Sequence, residues 1–230
     1  MGLFGFKKQK TQAVTQENVT QNIETDTKKT TERNEVFLDL NKGGMLNLKK
    51  NDFLNLTKTG VNLTNIRVSA GWDVNHHGED YDLDLCAYLL DKNNRLQDVV
   101  YYGDKNAKGL ELDKDNLTGE GDGDDENIFV NFDKIAPMIE RIVFCVVIYR
   151  AEPRGQSFKY VHNAYVRMVD QSVAPEREIC RYNLTEDGGS NTAVMFAEIT
   201  KTYEGWTFNA IGKYSKNSIG TLKSVIQRRN

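Results

Sequence analysis

The chain has 230 residues, of which 39% are hydrophobic and 27% are charged, a balance typical of a soluble protein with one large or two small globular domains. Its formal net charge is −3, so no overall basic excess indicates a protein that binds nucleic acid. Only 3 prolines and 18 glycines are present, which excludes collagen-like and low-complexity sequences.

The N-terminal segment, residues 1–34, differs in composition from the rest of the chain. From Gln12 to Arg33 it has too few apolar side chains to offset the entropy of ordering, so we expect a flexible tail. Its tip combines apolar and basic side chains, namely Leu3, Phe4, Phe6, Lys7 and Lys8. These residues could make a peripheral contact with an anionic membrane, and the alternative is a tip without structure.

Beyond this segment, short alternations of apolar and polar residues predict a run of strands joined by turns. Early examples are Met45–Leu48, Phe53–Leu56 and Val61–Thr64, and a longer strand is predicted over Ile66–Trp72. No apolar run is long enough to cross a membrane and no secretory signal is evident, so we expect a cytoplasmic protein.

The next predicted strand, Asp82–Leu90, carries the first part of a candidate site. Its apolar face is formed by Leu83, Leu85, Ala87 and Leu89. Asp82 and Asp84 therefore share the opposite face at the start of the strand, roughly 7 Å apart, where their charges repel each other. A bound cation would remove this repulsion, and the alternative is a pair of exposed aspartates.

An acidic loop follows, in which eight of the sixteen residues from Glu111 to Glu126 are Asp or Glu and Lys114 is the only cation. Glycines that permit tight turns alternate with the carboxylates at Gly119, Gly121 and Gly123. Calcium prefers about six to eight oxygen ligands from carboxylates, amides and carbonyl groups. The glycine spacing, together with the oxygens of Asn116 and Thr118, favours a metal site over a solvated acidic loop.

The remaining segments also predict strands. Arg141–Tyr149 is almost entirely apolar and indicates a central strand buried on both faces, and Val161–Asp170 alternates. About ten short strands with few helical segments predict an all-β, two-sheet β-sandwich over residues 35–215. The basic residues 216–230 predict a solvated tail. The odd number of cysteines, Cys86, Cys145 and Cys180, favours buried reduced thiols over disulfides or a zinc site.

Five motifs together resemble the TerD family, the tellurium-resistance and general stress proteins of bacteria. They are GWD at 71–73, DLDL at 82–85, DNLTGEGDGDDE at 115–126, RGQSF at 154–158 and MFAEI at 195–199. The resemblance extends from about Val36 to Lys213. The chain departs from the family pattern in its additional N-terminal segment, in the LDK sequence before Asp115 and in its basic C-terminal end.

This resemblance implies a β-sandwich that binds calcium, usually two ions close together, and that has no established enzymatic activity. The matching positions are Asp82, Asp84, Asp115, Asn116, Gly121, Asp124, Asp125 and Glu126. It also implies a role in tellurite and chemical-stress resistance with other stress-resistance proteins as partners, either in the cytoplasm or peripherally at the inner face of the membrane.

We therefore expect a calcium-binding stress-response module that is not an enzyme. The alternative is a calcium-dependent, membrane-associated scaffold or adaptor. A metal-dependent phosphoesterase is disfavoured, because the sequence shows no evident general base or arginine cluster for a phosphate.

Overall fold

Two seven-stranded sheets enclose an apolar core in the computed structural model, which describes residues 34–73, 80–184 and 188–228. By its internal contacts the chain divides into Met1–Thr31 and Glu32–Asn230, and the described residues belong to the second unit. The predicted flexible tail and its membrane-contacting tip thus lie outside the described residues, except for Asn34.

The strands follow one another along the chain with few intervening helices. The first seven are β1 (Asn34–Val36), β2 (Leu46–Asn47), β3 (Asp52–Asn55), β4 (Asn65–Gly71), β5 (Leu83–Leu90), β6 (Leu96–Val100) and β7 (Asn106–Ala107). The others are β8 (Leu110–Leu112), β9 (Glu126–Asn131), β10 (Arg141–Ile148), β11 (Tyr165–Asp170), β12 (Arg177–Asn183), β13 (Ala193–Thr202) and β14 (Gly205–Ser215). The helical segments are α1 (Ala151–Arg154), α2 (Ile219–Gln227) and short 3₁₀ turns at Leu56–Lys58, Phe132–Lys134 and Phe158–Tyr160.

The first sheet has the strand order β1-β3-β14-β13-β10-β5-β6, and the second has the order β2-β12-β11-β4-β9-β8-β7. Pairing is antiparallel except between β1 and β3 and between β2 and β12. This architecture confirms the predicted all-β, two-sheet fold. The additional strands are mostly two or three residues long, too short to produce a detectable alternation in the sequence.

Strand β10 confirms the prediction of a central strand buried on both faces. It lies between β13 and β5, and every one of its residues is buried. Phe144 and Val146 face the core between the sheets, whereas Val143 and Cys145 face the opposite side of the first sheet. The three cysteines are free and buried, as predicted.

Helix α2 covers this opposite side of the first sheet and corrects the prediction of a solvated tail over residues 216–230. Ser218 and Thr221 form a capping box at its start. Leu222 and Ile226, one helical turn apart, are both buried against the sheet. The basic residues around them obscured this apolar spacing in the sequence. Within the described ranges, no helix is long and apolar enough to span a membrane.

The fold brings the two candidate segments together. Strand β5 of the first sheet begins directly after Asp82, and the acidic loop joins β8 to β9 at the edge of the second sheet. A hydrogen bond connects the two sheets at this point, because the Leu85 amide donates to Glu126 Oε2 at 2.7 Å. The candidate site therefore lies where β5 meets the start of β9.

Candidate metal centre

Three carboxylates converge at the start of β5. One oxygen from each of Asp82, Asp84 and Asp115 lies within 4.8 Å of the others. The two-residue period of a strand places Asp82 and Asp84 on one side, and the acidic loop brings Asp115 to them. Asp82 and Asp84 are only 8% and 2% exposed, whereas Asp115 is exposed to solvent. We call these three residues the carboxylate cluster.

Two oxygens of the cluster are buried without a partner among the described residues. Asp82 Oδ1 and Asp84 Oδ2 are buried and have no hydrogen-bond partner in the part of the chain that the structure describes. Burial and the neighbouring Asp115 raise the pKa of Asp82 to about 6, although Arg154 opposes this. Burial, followed by Asp82 and Asp115, raises the pKa of Asp84 to about 8. Because an unpaired buried charge is costly, this donor set fits a hard cation.

Glu126 supplies a fourth carboxylate beside the cluster. Its Oε2 accepts the hydrogen bond from Leu85 of β5, and its Oε1 accepts one from the Asn116 amide at 3.2 Å. Burial raises the pKa of Glu126 to about 9, and the charges of Asp84 and Asp115 act in the same direction against these two bonds. Each carboxylate oxygen has a second lone pair, so Glu126 can hold these amides and still face a cation.

Asn116 and Asp125 hold the loop in shape. Asn116 Oδ1 accepts hydrogen bonds from the amides of Thr118 and Gly119 at 3.2 and 3.1 Å. Its Nδ2 donates to Asp125 Oδ1 at 2.7 Å. The other oxygen of Asp125 accepts from the Trp72 amide at 2.8 Å, at the end of β4. Both predicted site residues therefore organise the loop through their side chains.

Gly121 and Asp124 lie on the outer part of the loop. Gly121 has a φ of +130°, a conformation that glycine adopts most readily, and it can offer a cation only its carbonyl oxygen. The carboxylate of Asp124 is not part of the carboxylate cluster. It is paired with Arg167 through two bonds of 2.8 and 2.7 Å. Burial tends to raise the pKa of Asp124, but Arg167 holds it below its ordinary value.

Arg67 and Arg167 lie beside the candidate site and were not identified from the sequence. They lie on β4 and β11, and Arg67 Nη2 approaches Asp124 Oδ2 at 3.4 Å. Their signal in the sequence is only that each alternates with apolar residues on a strand. Nothing in that pattern shows that the outer face of these strands meets the acidic loop.

Tyrosine rings border the cluster. Tyr102 and Tyr149 contact each other edge to face, with ring centroids 5.7 Å apart. Burial raises the pKa of Tyr102, and the negative charge of Asp84 is the next cause. A surface cavity of about 610 Å³ lies elsewhere, along β7, β8 and β9, and none of the clustered carboxylates lines it. The chemistry therefore points to the carboxylate cluster rather than to this cavity.

Comparison with known proteins identifies relatives over most of the chain. The model of the family described as "TerD domain" matches residues 45–225. The chain is 37% identical over 173 residues to "Tellurium resistance protein TerD" of Alcaligenes sp, covering 73% of this chain and 89% of that protein. It is likewise 37% identical over 174 residues to "General stress protein 16U" of Bacillus subtilis (strain 168), with coverage of 73% and 89%.

A solved structure shares the fold. The crystal structure of a homologue of telluride resistance protein (TerD) from Streptomyces coelicolor A3(2) superimposes with a TM-score of 0.64. The match covers 74% of this chain and all of that one, at 20% sequence identity. At this identity the similarity supports the two-sheet fold alone.

Proposed function

The chain belongs to the TerD domain family of tellurium-resistance and stress-response proteins, and we propose that it is a calcium-binding module without catalytic activity. One observation carries the proposal: the buried oxygens of Asp82 and Asp84 converge with Asp115 and lack hydrogen-bond partners in the described ranges. A bound cation would supply the missing partner for each of them.

The donor set favours calcium over other cations. The cluster is formed by carboxylates alone, which suits hard cations rather than zinc or copper. The glycine-rich loop beside it can add carbonyl oxygens, and calcium accepts about six to eight ligands in irregular geometry, whereas magnesium demands about six in a nearly ideal octahedron. The three clustered carboxylates and Glu126 together carry four negative charges when ionised, which two calcium ions would balance.

Bound calcium would connect the two sheets of the fold. Asp82 and Asp84 belong to the first sheet, whereas Asp115 and Glu126 belong to the loop and strand of the second. A cation held by both groups would stabilise this junction and the outer surface of the loop. We propose that the calcium-bound loop is the surface that other stress-resistance proteins recognise in the cytoplasm.

Calorimetric titration with calcium tests the proposal. Wild-type protein is expected to bind about two ions, and Asp115→Asn to lose most of the affinity because it removes one cluster oxygen. Asp122→Asn is the matched control, since Asp122 is also an exposed aspartate of the same loop but lies outside the cluster. The proposal is wrong if the wild type shows no saturable binding or if both variants lose affinity equally.

The two alternative functions remain open to direct tests. A membrane adaptor would pellet with anionic vesicles only when calcium is present, and removal of residues 1–34 would weaken this if Phe4 and Phe6 contribute. A phosphoesterase would hydrolyse generic phosphodiesters in a calcium- or magnesium-dependent manner. Calcium binding without vesicle binding or phosphodiester hydrolysis would support the proposed calcium-binding module.

A further inference from the structure

We propose that Arg167 and Tyr165 are positioning residues for the calcium site and that Asp124 is the anchor through which they act, not a calcium ligand. This inference rests on the proposed calcium binding. It assigns a role to the outer face of β11, which lies outside the carboxylate cluster and which the acidic motif does not include.

The guanidinium of Arg167 is held between two acids. Its Nε and Nη2 donate to the two oxygens of Asp124 at 2.8 and 2.7 Å, and its Nη1 donates to Glu178 at 2.7 Å. Two parallel bonds between a guanidinium and a carboxylate fix the orientation as well as the distance. Because Glu178 is part of β12, the sheet holds in place the Arg167 guanidinium that binds Asp124.

Tyr165 lies two residues before Arg167 on the same face of β11 and contacts the same end of the acidic loop. Its hydroxyl lies 2.9 Å from the carbonyl oxygen of Gly123 and 3.0 Å from Asp124 Oδ1. Arg181 stacks on the Tyr165 ring at 4.1 Å and also donates to Glu178 at 2.8 and 3.0 Å. Side chains from two neighbouring strands thus hold the end of the acidic loop.

The anchored end of the loop leads directly to the carboxylate cluster. Asp125 and Glu126 follow Asp124 in the chain, and both accept hydrogen bonds from Asn116. Asn116 is the neighbour of Asp115, the loop residue of the cluster. The position of Asp115 therefore depends on contacts that begin at Arg167. Residues that orient ligands from outside the coordination sphere typically change metal affinity about 10–100-fold when they are replaced.

Arg167→Lys tests the two parallel hydrogen bonds to Asp124, because lysine keeps the positive charge but cannot make both of them. Arg177→Lys is the matched control: Arg177 also bridges β12 and β11, through a 2.7 Å bond to the buried Asp170, and both arginine side chains are 23% exposed. We expect Arg167→Lys to weaken calcium binding about tenfold or more, measured by calorimetry well below the melting temperature. Arg177→Lys should leave the affinity within about twofold.

Tyr165→Phe is a milder variant, which removes only a hydroxyl and is expected to weaken binding several-fold even if Arg167→Lys does not fold. Unchanged affinity in Tyr165→Phe and in folded Arg167→Lys would overturn the inference, as would an equal loss in Arg177→Lys. If wild-type protein binds no calcium, the proposed function fails and this inference fails with it. If wild type binds but the variants bind equally well, only the positioning role fails.

A double-mutant cycle separates an anchor from a ligand. If Asp124 acts only through Arg167, the affinity of the double variant Arg167→Lys/Asp124→Asn should match that of Asp124→Asn alone. If Asp124 ligates calcium independently, the two losses should add, and the assignment of Asp124 as an anchor would be wrong.

Discussion

Replacement of Asp84 by asparagine should raise stability in the absence of calcium, and calcium should narrow the difference by stabilising the wild type. Asp84 is buried among other carboxylates, and its pKa is raised from 3.8 to about 8, so the native state holds this proton more tightly than the unfolded chain does. The stability that the proton contributes is therefore fully present below about pH 4 and is lost as the pH rises towards about 8. Asparagine has a similar shape and stays neutral throughout.

The size of the effect follows from the same shift. At about 1.4 kcal/mol for each pH unit between 3.8 and about 8, the calcium-free wild type loses at most about 6 kcal/mol. At pH 8.5 without calcium, Asp84→Asn should thus unfold at higher denaturant concentration than wild type. With calcium at about 100 times its dissociation constant, wild type should gain roughly 2.7 kcal/mol that the variant lacks.

Denaturant unfolding of calcium-free and calcium-loaded protein at pH 5 and pH 8.5 measures both effects. Asp122→Asn, which removes an exposed charge of the same loop, should follow wild type at both pH values. The account of the cluster fails if calcium-free Asp84→Asn is less stable than wild type at pH 8.5. It also fails if calcium-free wild type does not lose stability between the two pH values.

Three further predictions concern other parts of the molecule. Calcium affinity should rise between about pH 6 and pH 9, because calcium binding displaces protons from Asp82 and Glu126. The pKa of Asp82 is raised to about 6 and that of Glu126 to about 9. Calorimetry in buffers of different ionisation enthalpy would detect the released protons. Leu222→Ala should cost about 2–5 kcal/mol in denaturant unfolding without changing calcium affinity, since Leu222 of α2 is fully buried against the first sheet. A loss below about 0.5 kcal/mol would restore the solvated-tail prediction. Glu198→Gln should cost about 3–5 kcal/mol, because the buried Arg141 guanidinium loses the negative charge that lies 2.7 Å away. Unchanged stability would show that this ion pair is dispensable.

Local pattern was sufficient for most of the longer strands, and it predicted the acidic segments that the fold brings together, although the predicted strand at Val61–Thr64 does not form. The alternation at Leu83 and Leu85 places both in the core, and the uniform apolarity of Val143 to Ile148 matches burial on both faces of β10. These features depend on a period of two residues, which a sequence displays directly. Helix α2 was missed because only two of its residues are fully buried, and the basic residues around them indicated a solvated segment.

The distribution of roles among the acidic residues could not be predicted, because it depends on strands that are distant in sequence. Asp113 accepts two hydrogen bonds from Asn127, and Asp124 is paired with Arg167, 43 residues further along the chain. Composition alone assigns these carboxylates the same chemistry as Asp115. Only the pairing of β11 with β4, and of β4 with β9, brings the arginine to the loop.

This division of roles supports the proposal that a loop with eight acidic residues forms a localised cation site. Arg167 neutralises Asp124, whereas Asp113 and Asp125 accept hydrogen bonds from Asn127 and Trp72. Among the carboxylates of the described ranges, buried oxygens without a hydrogen-bond partner occur at Asp82 and Asp84, at the start of β5. We therefore propose that a cation binds at the start of β5 rather than along the loop. The arginines on the far side would favour this, because they keep the carboxylate of Asp124 paired.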